Sequence, residues 1–140
     1  MTLPIIAAQT GAVLLILQIV LMLTAGLRRA KTGTFVGLSD ADPDLERVVR
    51  RHGNLAENAG LFVAVLALAE LVGLAPTVLG VIAAVFVAAR FAHAASFTSL
   101  TGSHGREGNK LFVLLRLFGA FGTAMCGFAL GGFLLVALLT

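Results

Sequence analysis

The sequence predicts an all-α membrane protein: a transmembrane bundle of four helices with both termini on the non-cytoplasmic side. Three observations predict it. Of 140 residues, 59% are hydrophobic and only 12% are charged, and the mean hydropathy is +1.01. A soluble domain is about half apolar and about one quarter charged. Next, four apolar runs approach or exceed the ~20 residues that cross a bilayer, and polar segments separate them. Finally, none of the ten Lys and Arg residues lies at either terminus or in the short middle turn. This composition excludes a soluble globular enzyme, a disordered chain and a nucleic-acid-binding protein. The isoelectric point near 10.0 accompanies a net charge of only +3, so the basic residues read as membrane-side anchors.

The first span is expected at about 4–27. Pro4 to Gly26 carries no charge, and Arg28, Arg29 and Lys31 follow it. It reads as a retained span, since no Lys or Arg precedes it and the run is too long for a cleaved leader. The stretch TGTFVGLSDADPD then reads as a loop. The second span is expected at 43–74. Asp42 is placed to act as N-cap, Pro43 suits the first helical position, and Asp44 and Glu46 favour the positive helix end. At 1.5 Å per residue this helix is roughly 45 Å long, against a ~30 Å hydrocarbon core. Its first turns, with Arg47, Arg50 and Arg51, therefore project on the loop side. A tight turn around Gly73 to Pro76 leads to a third span at 76–100. The segment TGSHGREGN is a loop, and the fourth span follows at 110–139. The whole chain, 1–140, reads as one four-span domain. By the positive-inside rule, loops 1 and 3 face the cytoplasm.

The chemistry concentrates in LERVVRRHGNLAEN, residues 45–58. At about 100° per residue, Arg47, Arg50, Arg51, Asn54, Glu57, Asn58 and Leu61 share one side of the helix. The stripe starts at the cytoplasmic surface and enters the membrane at Asn54, Glu57 and Asn58. A carboxylate at the helix centre costs about 2.5–3.5 kcal/mol on insertion scales, so it faces protein, water or a cation. Two readings fit: an anchoring patch continued into an interhelical polar network, or an anion site. Arginine forks bind carboxylates, and Asn and Glu bind amide and ammonium groups, so a small zwitterionic ligand suits the second reading.

On the third helix, Arg90, His93 and Phe97 share a face. Arg90 lies deep in an apolar run and calls for an acid on a neighbouring helix, with Glu57 the best candidate. His93 alone is equally well a packed histidine. Arg106 and Lys110 flank a glycine-rich turn, and Arg116 lies about two turns into helix 4. Glu70 is on the opposite side of helix 2 and reads as interfacial, without a role. The single cysteine, Cys126, excludes a disulfide framework and a cysteine metal site, and no metal is expected.

The segment ERVVRRHGNLAEN resembles the signature of the MAPEG family, the membrane-associated proteins in eicosanoid and glutathione metabolism. Its form is E-R-x-x-R-x-x-x-N-x-x-E, met by Glu46, Arg47, Arg50, Asn54 and Glu57. LRRAK, with Arg28 and Arg29, resembles the family's basic pair at the end of helix 1. RFAHAASF resembles its R-x-x-H-x-x-x-Y, with Phe97 in the tyrosine position. The resemblance covers nearly the whole chain, and its departures from the family pattern fit the simpler bacterial-type members.

The resemblance implies a homotrimer in a membrane, expected to be a bacterial inner membrane, with glutathione as co-substrate between neighbouring subunits. Arg50, Asn54 and Glu57 would hold glutathione with His93, while Arg28 or Arg29 would reach in from the adjacent subunit. Arg47, Arg51, Asn58, Arg90 and Phe97 complete the implied binding set. A cation would draw the glutathione thiol to its thiolate. Arg106, Arg116 and Arg29 are the candidates, with Lys110 also close by loop length. A lipophilic electrophile or hydroperoxide would enter from the lipids through a groove between subunits. Asn58 and Phe97 stand where the family has tyrosines, which bears on rate more than on fold. The competing readings are a non-catalytic binding or scaffold protein of the same fold, and a small multidrug transporter. The transporter would place its acid at mid-membrane, whereas Glu57 sits near the cytoplasmic end among arginines.

Overall fold

A computed structural model describes residues 3–38, 42–98 and 109–139. Among these the chain forms four helices: α1 (Ile5–Thr32), α2 (Pro43–Val72), α3 (Pro76–Ser96) and α4 (Lys110–Leu139). Each is long and apolar enough to cross a membrane.

Helix ends follow local chemistry. α1 continues past the expected end at residue 27, through Arg28, Arg29 and Lys31, to Gly33 at φ 69°. The basic cluster ends the apolar run but not the helix, because cations are favourable at a helix C-terminus. Pro43 opens α2, and Gly73 at φ 90° closes it, its N–H reaching the carbonyls of Ala69 and Glu70. Pro76 opens α3 after a turn of three residues. α3 ends at Ser96, short of the expected 100, with Phe97 as its C-cap, and residues 99–108 lie outside the described residues. Asn109 caps α4 by accepting the Leu111 N–H at 3.0 Å.

α1 packs mainly along α2, and α3 mainly along α4, while α2 also touches α3 and α4. The core holds Leu14, Leu21, Leu55, Leu66, Leu79 and Leu130. Phe62 of α2 stacks on Phe86 of α3 with centroids 3.5 Å apart. Large apolar side chains such as Ile16, Leu23, Phe121, Phe128 and Leu135 point outward. In lipid such faces need no partner, and helices associate by close packing and polar contacts. Glycines make that approach possible between α3 and α4. A Cβ on Gly119 would lie 2.6 Å from His93 Cβ, and one on Gly122 would lie 3.1 Å from Ala89 Cβ.

The α1–α2 pair is pinned at both ends by polar contacts. At the loop end, Arg28 donates to both carboxylate oxygens of Asp42, at 2.9 and 2.5 Å. Asp42 is the N-cap residue as expected but makes no side-chain cap bond, and its carboxylate is turned chiefly to Arg28. At the other end Glu70 accepts the N–H groups of Ile6 (3.0 Å) and Ala7 (2.7 Å). Both are among the orphan donors of a helix start, where the dipole also favours an anion. Glu70 therefore has a role after all: it caps α1 from a neighbouring helix.

Candidate functional site

The polar residues gather at the loop end of the bundle, in two layers. Arg90 is the centre of the inner layer and is only 3% exposed. Its Nη1 donates to Asn54 Oδ1 at 2.6 Å, and its Nη2 donates to the Gly119 carbonyl at 2.7 Å. Its Nε is buried without a partner, and its guanidinium carbon lies 5.8 Å from the Phe86 ring centroid. Arg90 thus joins α2, α3 and α4. The expected pairing with Glu57 does not form among the described residues: α2 turns Asn54, not Glu57, toward α3. Two neutral oxygens satisfy the cation instead of a carboxylate.

Above this layer lies a chain of contacts through Phe97. Arg47 donates to Asp44 through Nε at 2.9 Å, and its Nη1 donates to the Phe97 carbonyl. That carbonyl is free because α3 has just ended. The Phe97 ring lies 5.1 Å from the His93 ring, and the Arg116 guanidinium lies 5.1 Å from the Phe97 ring centroid. Such a cation–π contact contributes about 0.5–2 kcal/mol, depending on desolvation. Arg47, Arg90, His93, Phe97 and Arg116 are thereby brought together from three helices. His93 is 8% exposed, and its backbone is pressed against Gly119.

The remaining candidates point elsewhere. Arg51 turns inward and donates to Thr24 Oγ1 at 3.0 Å, leaving its Nε buried and unpartnered. Arg50 is 63% exposed in its side chain and holds Glu46 at 2.6 Å. Glu57 is exposed and Asn58 half-buried, so Arg50, Glu57 and Asn58 form an outward face of α2. Asn58 Nδ2 donates to the Asn54 carbonyl at 2.7 Å. Arg28 is engaged by Asp42 and, at 3.6 Å, by Asp44. Its guanidinium holds the Asp42 carboxyl below the usual carboxylate range. Arg29 donates to the carbonyls of Thr34 and Gly37 within its own loop. Lys110 is exposed at the start of α4. Arg106 lies outside the described residues.

Glu57 and Asn58 also stand at the polar end of an apolar groove of about 460 Å³ between α2 and α4. Phe62 and Phe86 are among its lining residues, with Thr123, Gly127 and Phe128 on the α4 side. Among the described residues, no group of three His, Cys, Asp or Glu side chains converges as a metal site would require.

Sequence reasoning missed Thr24, Asp42 as an ion-pair partner, Glu70 and the Gly119 carbonyl. The first three needed the antiparallel α1–α2 pairing, for which the short lengths of the connecting segments were the available signal. The carbonyl had no side-chain signal at all.

Four spanning-length helices and a cationic, hydrogen-bonded cluster at one end define an integral multi-pass membrane protein with a polar site near one surface. The model of the MAPEG family matches residues 7–136, and the chain belongs to that family. Membership points to a glutathione-related function at a membrane. No curated protein matches the chain, and no solved structure does.

Proposed function

We propose that the protein is a glutathione-dependent transferase or peroxidase that activates the glutathione thiol against a lipophilic electrophile or hydroperoxide. The observation that carries this reading is the layout of the α2 motif. Arg50 and Glu57 face outward, while Asn54 beside them is fixed from behind by Arg90. Arg50 suits a ligand carboxylate and Glu57 suits an ammonium, which glutathione carries together. The outward face would be completed by a neighbouring subunit in a homotrimer, with Arg29 exchanging its loop carbonyls for the ligand.

Thiol activation needs a cation near the sulfur, because the thiolate is the nucleophile. Arg116, whose guanidinium lies over the Phe97 ring, and Arg106 are the candidates for this cation. The groove beside Glu57 would guide the lipophilic partner toward the thiol from the membrane. With loops 1 and 3 cytoplasmic, the site would open to cytoplasmic glutathione across a bacterial inner membrane.

The test is glutathione binding to detergent-purified protein by calorimetry, with thiolate absorbance followed on the same sample. Binding with a thiolate signal near neutral pH supports the enzyme. Binding without thiolate makes the protein a carrier or scaffold, and no binding at millimolar glutathione overturns the reading.

A further inference from the structure

We infer that Arg90 is a positioning residue: it orients the Asn54 side chain so that α2 offers a fixed donor–acceptor pair, Asn54 Nδ2 and Asn58 Oδ1, to the backbone C=O and N–H of one residue of a peptide-type ligand. The inference rests on the glutathione reading above and specifies how that ligand is held.

The argument is one of hydrogen-bond polarity. An asparagine amide carries an acceptor oxygen and a donor nitrogen, and its orientation follows from its partners. A guanidinium only donates. Arg90 Nη1 lies 2.6 Å from the Asn54 side chain, so the atom facing it is the oxygen. Nδ2 is then the end left over. It has no partner among the described residues, and it is not among the buried unpartnered atoms, which are Gln18 Oε1, Arg51 Nε and Arg90 Nε. Asn54 therefore presents N–H at the protomer surface.

Asn58 is oriented by the same logic in the opposite sense. Its partner is the backbone carbonyl of Asn54, which only accepts, so its nitrogen is turned inward at 2.7 Å. Its oxygen is left outward as an acceptor beside the groove. Asn54 and Asn58 are one helical turn apart on one face. A donor and an acceptor presented side by side pair with the C=O and N–H of one extended residue, whose two groups point the same way. Glu57, exposed between them in sequence, adds the anion for an ammonium. Arg90 itself stays behind Asn54, 3% exposed, with its second nitrogen committed to the Gly119 carbonyl.

Four variants test this by glutathione calorimetry and by the pKa of the bound thiol. Asn54→Asp keeps an acceptor for Arg90 but removes the outward donor. We expect roughly tenfold weaker glutathione binding with the fold retained. Asn58→Leu removes the outward acceptor and weakens binding severalfold. Arg90→Gln lets the Asn54 amide turn over and also weakens binding about tenfold, whereas Arg90→Lys, still a pure donor, restores affinity to within about threefold. In all four the bound thiol keeps its wild-type pKa, since none of these groups acts on the sulfur.

Wild-type affinity in folded Asn54→Asp or Arg90→Gln overturns the positioning role, and wild-type affinity in Asn58→Leu overturns the amide pairing. A raised thiol pKa in Arg90→Lys also overturns the inference, because Arg90 would then be acting directly on the sulfur. Wild-type protein that binds no glutathione overturns the glutathione reading itself, which the variants alone would not do.

Discussion

Arg90 on α3 and Asn54 on α2 share a 2.6 Å hydrogen bond deep at the loop end of the bundle, and no carboxylate of the described residues neutralises the arginine. Together with the Gly119 carbonyl, this contact ties three helices around one cation. The resulting cluster is electropositive, with Arg47 and Arg116 joined to it through Phe97. Such a site favours an anionic occupant, which a thiolate peptide supplies.

Arg50 and Glu57 are predicted to act on the ligand and not on the fold. Both are exposed, and among the described residues Arg50 pairs only with Glu46 of its own helix. Exposed helix pairs of this kind contribute about 0.3–0.5 kcal/mol. Arg50→Ala and Glu57→Ala should therefore each abolish measurable glutathione binding while melting temperature and oligomeric state stay near wild type. Normal affinity in both would remove α2 from the site.

The Glu70 cap makes a prediction remote from the chemistry. Glu70→Ala leaves the Ile6 and Ala7 amides without their carboxylate at the start of α1. Helix-terminus contacts of this type are worth roughly 1–2 kcal/mol. We expect stability in detergent to fall by that amount, read as a lower melting temperature, with faster exchange of the first-turn amides and unchanged glutathione affinity. An unchanged melting temperature and exchange rate would show that the contact adds no stability.

Two helix glycines should respond in opposite ways. A methyl group on Gly119 would meet His93 Cβ at 2.6 Å and His93 Cα at 2.8 Å, a collision with backbone that cannot rotate away. Gly119→Ala should cost about 1–3 kcal/mol by overpacking. Gly127, where a Cβ meets nothing within 4 Å, should tolerate alanine and gain up to about 1 kcal/mol from helix propensity. Thermal unfolding of the two variants side by side checks both signs.

The Arg28–Asp42 clamp gives a pH dependence. Asp42 titrates below the ordinary carboxylate value because Arg28 hydrogen-bonds its charged form. A carboxyl lowered in the folded state stabilises it at pH values above the unfolded pKa of about 3.9, and the contribution is lost as pH falls through the folded value. Asp42→Asn should thus be less stable than wild type from about pH 5 upward, with the gap closing in acid. A gap that stays constant down to pH 2 would place the effect elsewhere.

Cys126 is buried in the helical core and stands apart from the polar cluster. Cys126→Ser should leave thiol-transfer activity intact, as measured with glutathione and a chromogenic electrophile. Loss of activity with retained fold would mean that the protein's own thiol takes part.

Much of this architecture is legible in the chain itself. Hydropathy and length mark the four spans, since a bilayer accepts only long apolar helices whose backbone is satisfied internally. Pro43, Gly73 and Pro76 mark helix ends because each restricts backbone geometry locally. The α2 stripe is visible because helical periodicity alone places Arg50, Asn54 and Glu57 near one another. Periodicity reports the side of one helix, however, and not what stands opposite at the same depth. That depends on rotation and axial register between helices, which close packing sets, as where Gly119 meets His93. So the sequence by itself determined the spans, the motif and the need for Arg90 to find a partner. The tertiary structure decided that the partner is Asn54 and a backbone carbonyl, that Glu57 faces outward, and that Glu70 caps α1. Each of these depends on a contact between helices distant in the chain, whose geometry no local propensity encodes.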